Sequence, residues 1–153
     1  MNWLTADEGK EERIIEFELL GFKDIPQSSN DEFLSLEERL QNRSGVFQDV
    51  LFDFIDRSGF RDSVIYKKAG IDRRYFSKIR SKRSYIPKKN TVIALGLALN
   101  LGSEDFEYLL GSAGYALMPS SRQDVIIQYC IEQGIYRLRE VNDLLYDHTG
   151  KTL

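Results

Sequence analysis

The sequence predicts an all-α fold, and three observations carry that prediction. Apolar residues recur at the three- and four-residue spacing of a helix stripe in several separate stretches. Residues 91–101, TVIALGLALNL, are apolar almost all round, as expected of a helix wrapped by others. Cap residues precede these stretches at Asp72, Asn90 and Ser103, and glycines follow at Gly59, Gly70, Gly114 and Gly134.

In chain order, VFQDVLFDFI at 46–55 sets Val46, Phe47, Val50, Leu51, Phe54 and Ile55 on one stripe, with a stop at Gly59. A short second helix starts near Asp62 or Ser63, both good caps, and runs to Gly70. After a tight turn Asp72 caps RRYFSKIRS, where Phe76 and Ile79 share a buried face with the preceding Ile71. Arg73, Arg74, Ser77, Lys78 and Ser81 fall on the other sides. SKRSYIPKKN reads as a loop, because Pro87 biases Ile86 to an extended backbone. Asn90 then caps the apolar central helix, and Ser103 caps EDFEYLLGSA, whose Glu104 and Asp105 complement the positive end of the helix dipole.

Beyond the ALMPSS connector, Val125, Ile126, Tyr129 and Cys130 keep a helical stripe up to Gly134. Leu138, Val141, Leu144 and Leu145 mark another helix; the pair can cover the domain or form a dimer face. Residues 1–44 read as an acidic N-terminal extension. In it EERIIEFELLGF allows helix or strand, DIPQSSN is a loop, and DEFLSLEERLQNR is a helix with Phe33, Leu36 and Leu40 on one side. The expected organisation is therefore an extension over 1–44, a five-helix domain over 45–116 and a helical extension over 117–153.

Charge distribution points to function. The net charge is −3, yet residues 61–89 hold 11 cations and 2 acids, while residues 1–60 hold 6 cations and 14 acids. Cations this dense repel one another unless they are solvated on one face or balanced by a polyanion. Other classes find little support. One cysteine, Cys130, and one histidine, His148, leave no zinc-ligand cluster, so neither a metal nor another cofactor is expected. The carboxylates of EERIIEFE lack a partner His or Cys, and no glycine loop suits a phosphate, so an enzyme is not expected. Cys130 reads as a small core residue and His148 as part of a polar tail. No long apolar run or leader stands out, so a cytoplasmic location without membrane partners is the expectation.

The stretch YKKAGIDRRYFSKIRSKRS resembles the helix-turn-helix of the Cro and phage-repressor class of transcription factors, the Xre family of bacterial regulators. Ala69, Gly70, Ile71, Tyr75, Ser77 and Ile79 stand where the family pattern expects such residues. The apolar helix at 91–101 and the following YLLGSAGY resemble the family's fourth and fifth helices. The resemblance covers residues 46–115, more loosely the helices to 147, and does not reach residues 1–44. It implies a lambda-repressor-like domain with two extra C-terminal helices. One position departs: Tyr66 stands where the family favours a small residue, implying either splayed helices or an outward ring.

A helix fits the major groove, where Arg can bridge guanine O6 and N7 while Lys neutralises phosphates. Arg73, Arg74, Ser77 and Lys78 are accordingly the candidates for base contacts. Lys67, Lys68, Arg80, Lys82, Arg83, Lys88 and Lys89 are the candidates for phosphate contacts. The expected function is a sequence-specific duplex DNA-binding regulator, acting as a repressor and working as a homodimer on two half-sites. The alternative is a non-enzymatic module for RNA or for an acidic protein partner, of adapter or antitoxin type. Residues 1–44, with 11 acids and 5 cations, are a place for a protein partner to attach, or a segment that folds back on the basic helix.

Overall fold

The computed structural model describes residues 33–153. The readings of EERIIEFELLGF and DIPQSSN lie outside the described residues. Among those described, the secondary structure is helical: α1 (Leu36–Asn42), α2 (Val46–Ser58), α3 (Asp62–Lys68), α4 (Arg73–Ser81), α5 (Lys89–Ala98), α6 (Ser103–Ser112), α7 (Arg122–Glu132) and α8 (Leu138–Thr149).

α1 begins at a reciprocal cap. The Ser35 amide donates to Glu38 at 2.9 Å and the Glu38 amide donates to the Ser35 hydroxyl at 3.2 Å, which satisfies two otherwise free donors of the first turn. None of its residues is buried, and Phe33, Leu36 and Leu40 are all exposed.

Residues 42–153 form one compact unit with no division near 116/117. Its axis is α5, in which every residue from Val92 to Ala98 is buried, as its all-round apolar sequence demands. α6 crosses α5 closely at Gly96, where an added Cβ would lie 2.5 Å from the Phe106 ring. Only a hydrogen side chain admits that ring. Phe47, Leu51, Phe54 and Ile55 of α2, and Ile65 of α3, join the same core. So do Ile127, Cys130 and Ile131 of α7 and Val141 and Leu145 of α8, so both C-terminal helices belong to the domain's interior. Burial also pushes the Cys130 thiol pKa up.

Several local expectations change. α5 starts at Lys89 with Lys88 at the cap position, and the Asn90 carbonyl oxygen instead accepts from Gln123 at 2.9 Å. α6 is preceded by Gly102; Ser103 is its first residue, and its hydroxyl accepts from Gln128 at 3.3 Å. α3 is preceded by Arg61, so neither Asp62 nor Ser63 is its cap. In α7, Val125 and Tyr129 are half exposed, and the buried stripe is Asp124, Ile127, Cys130 and Ile131. At Asn90, Ser103 and Asp124 the change goes with a tertiary partner: Gln123, Gln128 and Lys89 respectively.

Candidate nucleic-acid interface

α3 and α4 are joined by four residues, Ala69 to Asp72. The turn closes twice over α3: the Gly70 amide donates to the Lys67 carbonyl at 3.1 Å and the Ile71 amide to the Tyr66 carbonyl at 2.9 Å. That pairing requires a left-handed residue between them, which Gly70 supplies at φ 68°. Asp72 then caps α4, its carboxylate accepting from the Tyr75 amide at 2.7 Å.

α4 is strongly two-faced. Phe76 and Ile79 are buried, whereas Arg73, Arg74, Ser77 and Lys78 are all exposed. The inward face is braced by aromatic rings. Phe76 meets Phe52 edge-on at 6.1 Å between centroids and Tyr66 at 5.6 Å with the rings tilted. Tyr66 is therefore half-buried between α3 and α4; it fills that space instead of turning outward.

The segment after α4 is held from below. Gln48, 1% exposed within α2, donates its side-chain amide to the carbonyl of Tyr85 at 2.6 Å and of Lys82 at 3.3 Å. Tyr115 donates its hydroxyl to the Pro87 carbonyl at 2.7 Å. Tyr75 and Tyr85 meet at 2.9 Å between hydroxyls. Burial, followed by this hydrogen bond, raises the Tyr75 pKa above its ordinary value. The Lys78 ammonium lies 4.2 Å from the centre of the Tyr85 ring, which ties the helix surface to the loop. The basic loop is thus positioned by buried and half-buried polar groups of the core.

The cations divide by what surrounds them. Arg80 pairs with Asp62 at 2.5 Å and lies over the Phe52 ring at 4.3 Å, linking α4 back to α3. Arg83 pairs with Asp49 of α2 at 2.8 Å and covers Gly45. Both pairs are solvent-exposed, worth about 0–1 kcal/mol, so a phosphate can replace either carboxylate at small cost. Lys89 differs. Its ammonium reaches Asp124 at 2.6 Å, and that carboxylate is 1% exposed and also accepts from the Met118 amide at 2.8 Å. Withdrawing Lys89 would strand a buried charge, so its place is structural, at the joint between α5 and α7. Lys67, Lys68, Lys82 and Lys88 are exposed and make no ion pair with a described residue; Lys68 lies over the Phe60 ring at 4.5 Å.

The helix pair and its cations are legible in the sequence, but the roles of Gln48 and of the acids Asp49, Asp62 and Asp124, and the hydrogen bond between Tyr75 and Tyr85, are not. Gln48 and Asp124 carried a signal: each is a polar residue on an apolar stripe, with Leu51 and Ile55 following Gln48, and Ile127 and Ile131 following Asp124. Asp49 and Asp62 carried none, since their partners are brought to them by folding.

Among the described residues no group of three or more His, Cys, Asp or Glu side chains can hold a metal ion, and no helix is long and apolar enough to cross a membrane. The chain matches no family model, no curated protein and no solved structure, so its functional reading rests on this exposed cationic helix and the turn that carries it.

Proposed function

We propose that this chain is a sequence-specific duplex DNA-binding regulator, a non-enzymatic helix-turn-helix protein that inserts α4 into the major groove. The observation that carries the reading is the division of α4: four polar or cationic residues lie exposed on one side while Phe76 and Ile79 anchor the other. A helix so anchored holds its backbone at a fixed height and angle, from which long exposed side chains can reach base edges. Arg73 and Arg74, in the first turn, reach the base edges, with Ser77 and Lys78 one turn behind. Lys67, Lys68, Lys82 and Lys88 neutralise phosphates, and Arg80 and Arg83 exchange their exposed carboxylates for phosphate on binding. Lys89 does not join them.

A homodimer on two half-sites about one helical turn apart, some 34 Å, is the mode of use that helix-turn-helix geometry favours. Repression follows if the half-sites overlap a promoter.

The test is a gel-shift and selection series with the full chain on random-sequence duplexes at low salt. An enriched inverted repeat, with affinity falling steeply as salt rises, supports the reading. Absence of duplex binding at low salt ends it. A preference for structured RNA in direct competition would transfer the same cationic face to an RNA target, and capture only by an acidic protein would transfer it to a protein target.

A further inference from the structure

The turn between α3 and α4 does not face open solvent on every side. Leu138, the first residue of α8, lies against it, with its Cδ2 3.0 Å from where a Cβ on Gly70 would stand. The approach brings the start of α8 beside the end of α3. A groove of about 450 Å³ lies there, lined by Lys68, Leu97, Asn100, Tyr136, Arg137 and Leu138. Two of the six are cations and none is an acid. Arg137 is exposed, and its guanidinium makes no ion pair or hydrogen bond with a described residue. Asn100, exposed at φ 52° just past the end of α5, adds an amide that can donate. The Tyr136 hydroxyl is already committed to the Leu101 carbonyl at 2.9 Å, which fixes that wall.

We infer that this groove is a second phosphate seat for the same duplex, formed by Lys68 and Arg137 beside the turn. This rests on the DNA-binding reading above and extends it to a residue outside the basic stretch. The reach is adequate: Arg73 is the third residue after Gly70, so the two backbones are at most roughly 10 Å apart. A duplex carries one negative charge per about 1.7 Å of axis, so a strand whose bases meet Arg73 runs phosphates past the turn. Phosphate contacts fix register without reading sequence. Through this contact α8 sets the angle at which α4 enters the groove.

The experiment measures the salt dependence of affinity for one duplex, with wild type, Arg137→Ala, Arg137→Lys, Arg122→Ala and Lys88→Ala. Circular dichroism checks that each variant is folded. Arg122→Ala removes the same charge from α7, where the guanidinium bonds the His148 carbonyl. The expected result is a log–log salt slope reduced by about 0.9 for Arg137→Ala, unchanged base preference, recovery in Arg137→Lys and no reduction in Arg122→Ala. If Arg137→Ala keeps the wild-type slope while Lys88→Ala loses it, the seat is refuted and the DNA-binding reading stands. Equal losses in Arg137→Ala and Arg122→Ala would reduce the effect to net charge and also refute the seat. If wild type binds no duplex, both fall together.

Discussion

The side-chain amide of Gln48 donates to the main-chain carbonyl of Tyr85 at 2.6 Å, joining the buried centre of α2 to the basic loop that follows α4. The same amide reaches the Lys82 carbonyl, so one side chain holds both ends of the loop's first turn. Gln48→Ala leaves the Tyr85 carbonyl without its donor, while the Lys82 carbonyl keeps the Tyr85 amide at 3.0 Å. We expect a loss of about 1–3 kcal/mol in urea unfolding and faster hydrogen exchange from Ser84 to Ile86. Unchanged exchange there would show that the loop is held by other means.

Arg73 and Lys88 should behave differently on DNA. If α4 reads DNA as proposed, Arg73→Ala should lose a bidentate hydrogen bond to a base, at about 1–3 kcal/mol on the preferred site with relaxed specificity at one position. Lys88→Ala weakens all duplexes alike and lowers the salt slope by about 1. Binding curves on the selected site and a scrambled one separate the two. Equal loss of preference in both variants would contradict the assigned roles.

Lys89 and Asp124 are joined at 2.6 Å, but the two are not equivalent, because Asp124 is 1% exposed while the Lys89 side chain is 29% exposed. Lys89→Ala abandons a buried carboxylate and should cost about 3 kcal/mol. Asp124→Asn leaves an ammonium that can turn to water, and a carbonyl that can still accept from the Met118 amide, so it should cost less. Denaturant midpoints of the two variants decide the order. If Asp124→Asn is the more damaging change, the stranded buried carboxylate is not what makes Lys89 structural.

Tyr75 gives the domain an alkaline limit. Burial and the Tyr85 hydrogen bond raise its folded pKa above 10.0, the ordinary value, so the folded state keeps a proton that the unfolded chain gives up. Its stabilising effect is complete below pH 10.0 and declines as pH rises from there through the folded pKa. Stability measured from pH 8 upward should therefore fall beyond about 10. The fall should be shallower in Tyr75→Phe, which loses about 1 kcal/mol at neutral pH. Parallel curves for both proteins would assign the alkaline loss to other groups.

Gly70→Ala should destabilise the turn. A Cβ at φ 68° costs roughly 1–2 kcal/mol from backbone sterics, and Leu138 stands 3.0 Å away and must shift. Thermal unfolding reads the loss. Alanine at Gly59, also left-handed but with nothing within 4 Å, should show the backbone cost alone.

The helix pair around the turn was legible because its signals are local. A glycine closes α3, an aspartate three residues before Tyr75 caps α4, and Phe76 and Ile79 stand three apart; each works within one or two turns of chain. The caps expected at Asn90 and Ser103 failed for the complementary reason. Their side chains are drawn to Gln123 and Gln128 of α7, partners distant in sequence. The stripe of α7 was misjudged by the same logic. Val125 and Tyr129 have the apolar character of a core face, but packing chose the face that buries Asp124 against Lys89.

Helical periodicity and stop residues settle, within the chain itself, that this protein is all-α among its described residues and that ten cations gather in residues 67–89 around one turn. Which of those cations face solvent is a different kind of fact. Arg80, Arg83 and Lys89 find Asp62, Asp49 and Asp124 only after α2, α3 and α7 have packed, and Arg137 comes to line one groove with Lys68 only in the folded chain. Local hydrogen bonding needs neighbours along the chain, whereas charge pairing falls off with distance in space and takes no account of separation in sequence.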